Sequence, residues 1–262
     1  MHSDFDVAAA QYDDIFTYSN IGKAQRKLVF KYINPIIKQD KKLAILELNC
    51  GTGADAIEFA NLGHDVIATD ISSGMIDVAN TKPHPENVQF KVQDINTITK
   101  NTFNKQFDVI FSDFGGINCL SHEQLQTFFK NASDLLLPNG TLAIVLMPKN
   151  CLWERFYFTL KGDRKKATRR NTTESIVANV DGVGVDTWYY NPKDISAAAK
   201  NYFITKKVKP IGVTIPPSYL EQSFVAKFPM LNIFKGIDAI VTASSLAKYA
   251  DHFLIVLEKR RS

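Results

Sequence analysis

Three acidic residues and one glycine turn carry the chemistry in this sequence. Glu47, Asp70 and Asp94 each follow an apolar run, and Gly51 and Gly53 come just after the first of them. Glycine lets a backbone approach a ligand closely. The amphipathic stretch that begins at Ala54 opens a helix, whose first N–H groups are free to meet a carboxylate or a phosphate. Asp70 can accept two ribose hydroxyls. Asp94 can accept the exocyclic amine of adenine while Ile95 covers the ring. Glu47 suits a cationic ligand and sits poorly beside a pyrophosphate. Residues 51–56 also satisfy the Gly-x-Gly-x-x-Ala form of the dinucleotide fingerprint. An NAD(P)-dependent oxidoreductase is therefore the alternative enzyme reading. A non-catalytic binding module is a third. Asn49 stands in the turn, and Asn is the next best residue after Gly for positive φ.

The elements that hold these residues follow from periodicity. Residues 43–46 form an apolar strand, 54–62 a helix ended by Gly63, and 65–70 a second strand. Ser72 or Ser73 caps a helix bearing Met75, Ile76 and Ala79. Residues 88–92 and 107–112 read as strands. Ser121-His122-Glu123-Gln124 is a capping box, followed by an apolar face of Leu125, Phe128, Phe129, Ala132 and Leu136. Residues 141–147 read as a buried strand. Residues 21–33 form a helix stopped before Pro35. This alternation predicts an α/β fold with a mostly parallel, doubly wound sheet and helices on both faces. Right-handed crossovers then bring the strand-end acids to one rim.

At these residues the chain resembles the class I S-adenosylmethionine-dependent methyltransferases of the small-molecule type. Residues 47–53, 66–72 and 93–95 are similar to the family's glycine, ribose-acid and adenine motifs, and residues 107–112 and 137–142 to its fourth strand and the turn before its fifth. The resemblance implies S-adenosyl-L-methionine as cofactor, with Gly51 and Gly53 near its methionine portion. It implies Asp70 on the ribose, Asp94 on the adenine, and Glu47 orienting the amino group. It also implies an antiparallel last strand, which residues 203–215 and 252–257 fit. An opening helix at residues 5–14 resembles the start of many small-molecule methyltransferases, where a Tyr closes over the cofactor. Tyr12 is that candidate, and Arg26 a candidate for the methionine carboxylate; ordinary packing and a solvated charge are their alternatives. Asn49, Ile71, Met75, Ile95, Ser112 and Phe114 complete the candidate cofactor set. Methyl transfer is an in-line displacement that placement alone can accelerate, so no catalytic residue is assigned.

The remaining expectations bound the function. At 262 residues the chain fits one domain, with helices over 1–40, a cofactor core over 41–147, a lid insertion over 148–191 and the rest of the sheet over 192–262. The insertion holds a hairpin turning at Asp181-Gly182 and the aromatics Trp153, Phe156, Tyr157, Trp188, Tyr189 and Tyr190. These wall an acceptor pocket or join the core. Residues 237–249 read as a helix. Gly115-Gly116 allow close substrate approach or simply turn the chain. His122 and His252 are read as cap-adjacent or surface residues, and His64 as structural. The three cysteines and the acids show no metal-ligand spacing, so no metal is expected. Residues 112–119 lack the Asn/Asp-Pro-Pro-aromatic tetrapeptide that holds a flipped base, which disfavours a nucleic-acid substrate. The formal charge of +4 is read as solvated faces. No apolar run approaches the ~20 residues of a span, so no membrane partner is expected. The polar start shows no signal-peptide pattern, and the odd set Cys50, Cys119 and Cys151 fits a reducing cytoplasm. The expected partner is a small-molecule or carrier-bound acceptor; oligomeric state is not legible.

Overall fold

The computed structural model describes residue 6 and residues 9–38, 40–180 and 183–261. Among the described residues, seven strands form one sheet in the order β3-β2-β1-β4-β5-β9-β8. These strands are β1 (Ala44–Leu48), β2 (Asp65–Asp70), β3 (Val88–Val92), β4 (Phe107–Ser112), β5 (Leu136–Leu146), β8 (Phe203–Ile211) and β9 (His252–Lys259). The pairs β1–β2, β1–β4, β2–β3 and β4–β5 are parallel. β9 runs antiparallel to both β5 and β8. The expected mostly parallel sheet with an antiparallel last strand is therefore present.

Each central strand alternates between two apolar layers. Ile45 faces the cluster that holds helix α1 (Asn20–Ile37), whereas Leu46 and Leu48 face the cluster under helix α4 (His122–Leu135). The helices α2 (Ala54–Asn61) and α3 (Ser73–Thr81) follow β1 and β2. Ser72 caps α3 by accepting from the Met75 N–H, and the capping box of Ser121 and Gln124 opens α4. The strand ends, and with them the acids, share one rim.

Several boundaries differ from the sequence reading. α1 begins at Asn20 and runs through Pro35 to Ile37. Pro35 removes one helical donor in the last turn, but burial of Ile37 keeps that turn in place. The turn expected before the fifth strand lies within β5. Leu136 pairs with Phe107 and Thr141 with Val109, so the residues between bulge out, with Asn139 at φ 62°. β8 stops at Ile211 rather than 215. The helix expected over residues 237–249 is instead α8 (Met230–Ile240), followed by a 3-10 stretch at Ser244–Tyr249. Of the opening helix, Asp13–Thr17 form a single π-turn, and the stretch before it falls partly outside the described residues.

Residues 148–191 form α5 (Leu152–Leu160), the short α6 (Arg164–Ala167) and a two-stranded hairpin of β6 (Ile176–Val180) and β7 (Val183–Thr187). Its Asp181-Gly182 corner lies outside the described residues. Helix α7 (Pro192–Ala199) leads back into the sheet.

Candidate active site

The turn after β1 is left-handed at three positions: Asn49 (φ 56°), Gly51 (φ 51°) and Gly53 (φ 76°). At Gly53 a Cβ would also lie 2.4 Å from the Phe90 ring, so sterics demand glycine twice over. Asn49 fits because Gly116 makes room for it: a Cβ on Gly116 would stand 2.4 Å from the Asn49 Cβ. The Ser112 hydroxyl reaches the Asn49 Oδ1 at 3.4 Å. Asp70 ties the second strand to this turn. Its Oδ2 accepts from the Gly51 N–H and its Oδ1 from the Ser72 N–H, each at 2.9 Å. Burial raises the Asp70 carboxyl above its ordinary range, and the backbone donors pull it back. Each oxygen retains acceptor capacity for a further hydroxyl.

Glu47 is buried on the α1 face of β1. It meets two acids that the sequence reading had not placed: ligand atoms of Glu47, Asp55 and Asp113 all lie within 4.8 Å of one another. Arg26 of α1 supplies the counter-charge, with its Nε 3.2 Å from Asp55 and its Nη2 4.0 Å from Asp113. Three carboxylates thus face one guanidinium. Burial, and then repulsion from Asp55, hold Glu47 and Asp113 well above the ordinary carboxylate range. Arg26 Nη1, Glu47 Oε2, Asp55 Oδ1 and Asp113 Oδ2 are buried without a hydrogen-bond partner. Unsatisfied buried groups of both signs are costly. They fit a ligand bearing an ammonium and a carboxylate on one carbon.

The sequence shows no metal-ligand spacing among these acids, because the fold assembles what chain spacing hides. Both missed residues left a signal. Asp55 shares the buried i, i+4 face of α2 with Phe59, and Asp113 follows the end of β4 just as Asp94 follows β3.

The N-terminal segment covers this rim. The Tyr12 ring lies over Gly51, at 3.4 Å from where a Cβ would stand. Burial raises the Tyr12 phenol well above its ordinary value, and Asp113 adds to that. Asp13 accepts from the Thr52 hydroxyl at 2.6 Å and pairs with Lys82 at 2.5 Å. Asp6 accepts from the Ser72 hydroxyl at 2.5 Å and from the Gly74 N–H at 2.9 Å.

The other candidates share this rim with varied surroundings. Val92 pairs with Asp70 and the Gln93 N–H donates to the Asp70 carbonyl, so Asp94 follows directly beside the ribose-acid position. Its Oδ1 accepts from the Asn96 N–H at 2.8 Å. Ile71 is exposed at the rim, whereas Met75 is buried with Ala9 against Tyr12. Ile95 packs on the α4-side core. Ser112 is buried at the end of β4, and Phe114 sits in a left-handed conformation (φ 41°) with Arg26 over its ring at 6.0 Å.

His252 is not the surface residue expected. It lies edge-on to Phe114 at 5.3 Å, with its Nδ1 3.2 Å from Asp251. His122 opens α4 and packs on Tyr190, while His64 bonds Leu43 and Ile37 within the core. The six aromatics do not form one wall. Trp188 and Tyr190 pack on the α4 side, whereas Trp153 and Tyr157 pack on the α1 side. Tyr189 is buried under Arg170, and Phe156 faces solvent.

Comparison with known proteins bears on the domain and on the fold. Residues 45–140 match a family model described as a methyltransferase domain. Over that segment the chain is similar to a methyltransferase domain. The chain is 32% identical over 112 residues to a malonyl-[acyl-carrier protein] O-methyltransferase of Bacillus anthracis, covering 42% of this chain and 39% of that one. It is 31% identical over 137 residues to a ubiquinone biosynthesis O-methyltransferase of Coxiella burnetii, covering 50% and 54%. The match thus spans about half or less of these relatives' length. Among solved structures, a putative S-adenosylmethionine dependent methyltransferase from Listeria monocytogenes superposes with TM-score 0.62 at 16% identity, over 91% of this chain and 99% of that one. The CcbJ methyltransferase from Streptomyces caelestis superposes with TM-score 0.61 at 15% identity, over 99% of each chain. These two likenesses concern the fold.

Proposed function

We propose that this chain is a methyltransferase that uses S-adenosylmethionine to methylate a small-molecule or carrier-bound acceptor in the cytoplasm. The observation that carries the reading is the Arg26, Glu47, Asp55 and Asp113 set beside the Gly51 turn, in which one buried polar atom of each side chain lacks a hydrogen-bond partner. When bound, the cofactor supplies a methyl group activated by a sulfonium. The chain's residues bind, orient and exclude water. Asp70 takes the ribose hydroxyls, and Asp94 takes the adenine amine beside Ile71 and Ile95. Glu47, Asp55 and Asp113 face the ammonium, and Arg26 the carboxylate. Gly51 and Gly53 leave room for the methionine portion under Tyr12, with Asn49, Met75 and Ser112 shaping the turn. A pyrophosphate would sit among three carboxylates, which disfavours a dinucleotide.

Calorimetry tests this reading. S-adenosylmethionine and its demethylated product should bind, and NADH should bind far more weakly. Asp70→Ala should cost about 1–3 kcal/mol of cofactor affinity, the scale of leaving hydroxyl partners unpaired. Unchanged affinity in that variant would place the ribose elsewhere, and NADH binding as tightly would remove the methyltransferase reading. The relatives' printed names make malonyl-carrier and ubiquinone-precursor acceptors the first to assay.

A further inference from the structure

One face of the molecule is built against the usual order of a globular surface. α5, the turns at residues 218–226 and α8 all roof the same α1-side core, and Trp153 of α5 meets Phe234 of α8 at 5.6 Å. Their inner faces are accounted for by that packing. Their outer faces are apolar as well. Phe228 is 85% exposed, Ile240 79%, Phe224 73% and Leu160 72%, with Phe156 beside them on the outer face of α5. Isolated exposed apolar residues are ordinary, but several that protrude this far from adjoining elements mark an interaction surface.

Charge identifies the occupant. Along α5 and into α6, Arg155, Lys161, Arg164, Lys165 and Lys166 are exposed, and the acid among them is the half-buried Asp163. Lys227 adds a further exposed cation beside Phe228. Protruding aromatic and aliphatic side chains with a lysine and arginine rim are the arrangement that rests on an anionic bilayer. We propose that this face seats the protein on the surface of an anionic membrane, with Phe224, Phe228 and Ile240 entering the headgroup boundary. A second copy would bring two basic clusters together. An acidic protein with an apolar patch is the competing occupant, and the vesicle test separates the two. No described helix is long and apolar enough to cross a membrane, and the expectation of no membrane partner rested on that criterion. Contact with one leaflet is a different physical case, and it stands apart from the proposed activity.

Vesicle flotation with the intact protein tests it, without cofactor or acceptor. Vesicles of equal parts phosphatidylglycerol and phosphatidylcholine should carry at least about tenfold more protein than phosphatidylcholine alone. Phe224→Ser with Phe228→Ser should lower flotation by about tenfold or more, as should Lys165→Glu with Lys166→Glu. Circular dichroism of both variants should match the parent, and cofactor affinity should be unchanged. No flotation of the parent, or equal flotation of parent and variants, overturns the proposal. So does a dimer, or a complex with an acidic carrier protein, that the same substitutions abolish while vesicles bind nothing.

Discussion

Single residues show how the site tolerates its one irregular position. Asn49 holds a left-handed conformation that usually falls to glycine, and its side chain fills the space left by Gly116. The two positions are therefore coupled, although 67 residues of chain separate them. Gly116→Ala alone should destabilise the protein by about 1–3 kcal/mol through overpacking. Asn49→Gly alone should be mild, and the double variant should recover most of the loss. A double-mutant cycle by urea denaturation measures this coupling; strict additivity would show that the two side chains do not compete for one space. At this scale the sequence was informative wherever an acid closed a strand. Glu47, Asp70 and Asp94 were legible by that rule, and Asp113 obeys it as well. Arg26, by contrast, reaches the site through helix packing between residues remote in the chain. Its ion pairs with Asp55 and Asp113 have no one-dimensional signature.

Among elements, the strands and the capped helices were legible because their periodicity and punctuation agree. α8 was misread for a physical reason. Its inner face packs Leu231 and Phe234, while Ile233, Ile237 and Ile240 face water, so no polar stripe marks its phase. The insertion over residues 148–191 is anchored at two points. Asn118 donates to the Met147 and Trp188 carbonyls and accepts from the Met147 N–H, which joins the end of the hairpin to β5. Arg170, buried, donates to Glu154 and Asp251, and Gln25 donates to the same Asp251. Removing one partner of such a buried pair leaves an uncompensated charge, so Arg170→Met should cost about 3–5 kcal/mol. Between these anchors the hairpin is a two-stranded sheet separate from the main one. We propose it as the mobile part of a lid. Backbone amides of residues 176–180 and 183–187 should exchange more slowly when cofactor and acceptor are both present, while those near Asn118 and Arg170 change little. Equal exchange in the hairpin with and without ligands would exclude a lid.

For the whole molecule, the sheet gathers negative charge at one rim, and that charge titrates with binding. Glu47 and Asp113 are held above the ordinary carboxylate range by burial, with Asp55 adding repulsion and Arg26 opposing it. A carboxyl whose folded value lies above its unfolded value favours the folded state most when protonated. Its contribution in the ligand-free protein is thus fully favourable below the ordinary carboxylate range. It is lost as pH rises through the interval up to the raised folded value. A cationic ligand reverses the preference, because it stabilises the ionised carboxylates. Binding must then release protons, and affinity must rise with pH across the same interval. Between about pH 5 and pH 7 the ligand's own amino group stays charged, so the release reports the protein. Calorimetry in two buffers of different ionisation heat should show net proton release on S-adenosylmethionine binding, reduced in Asp113→Asn. A chelator should leave affinity unchanged, since the cluster serves the ligand's ammonium beside a guanidinium already in place. No proton release, or affinity that falls on chelation, would mean that these acids serve some other cation.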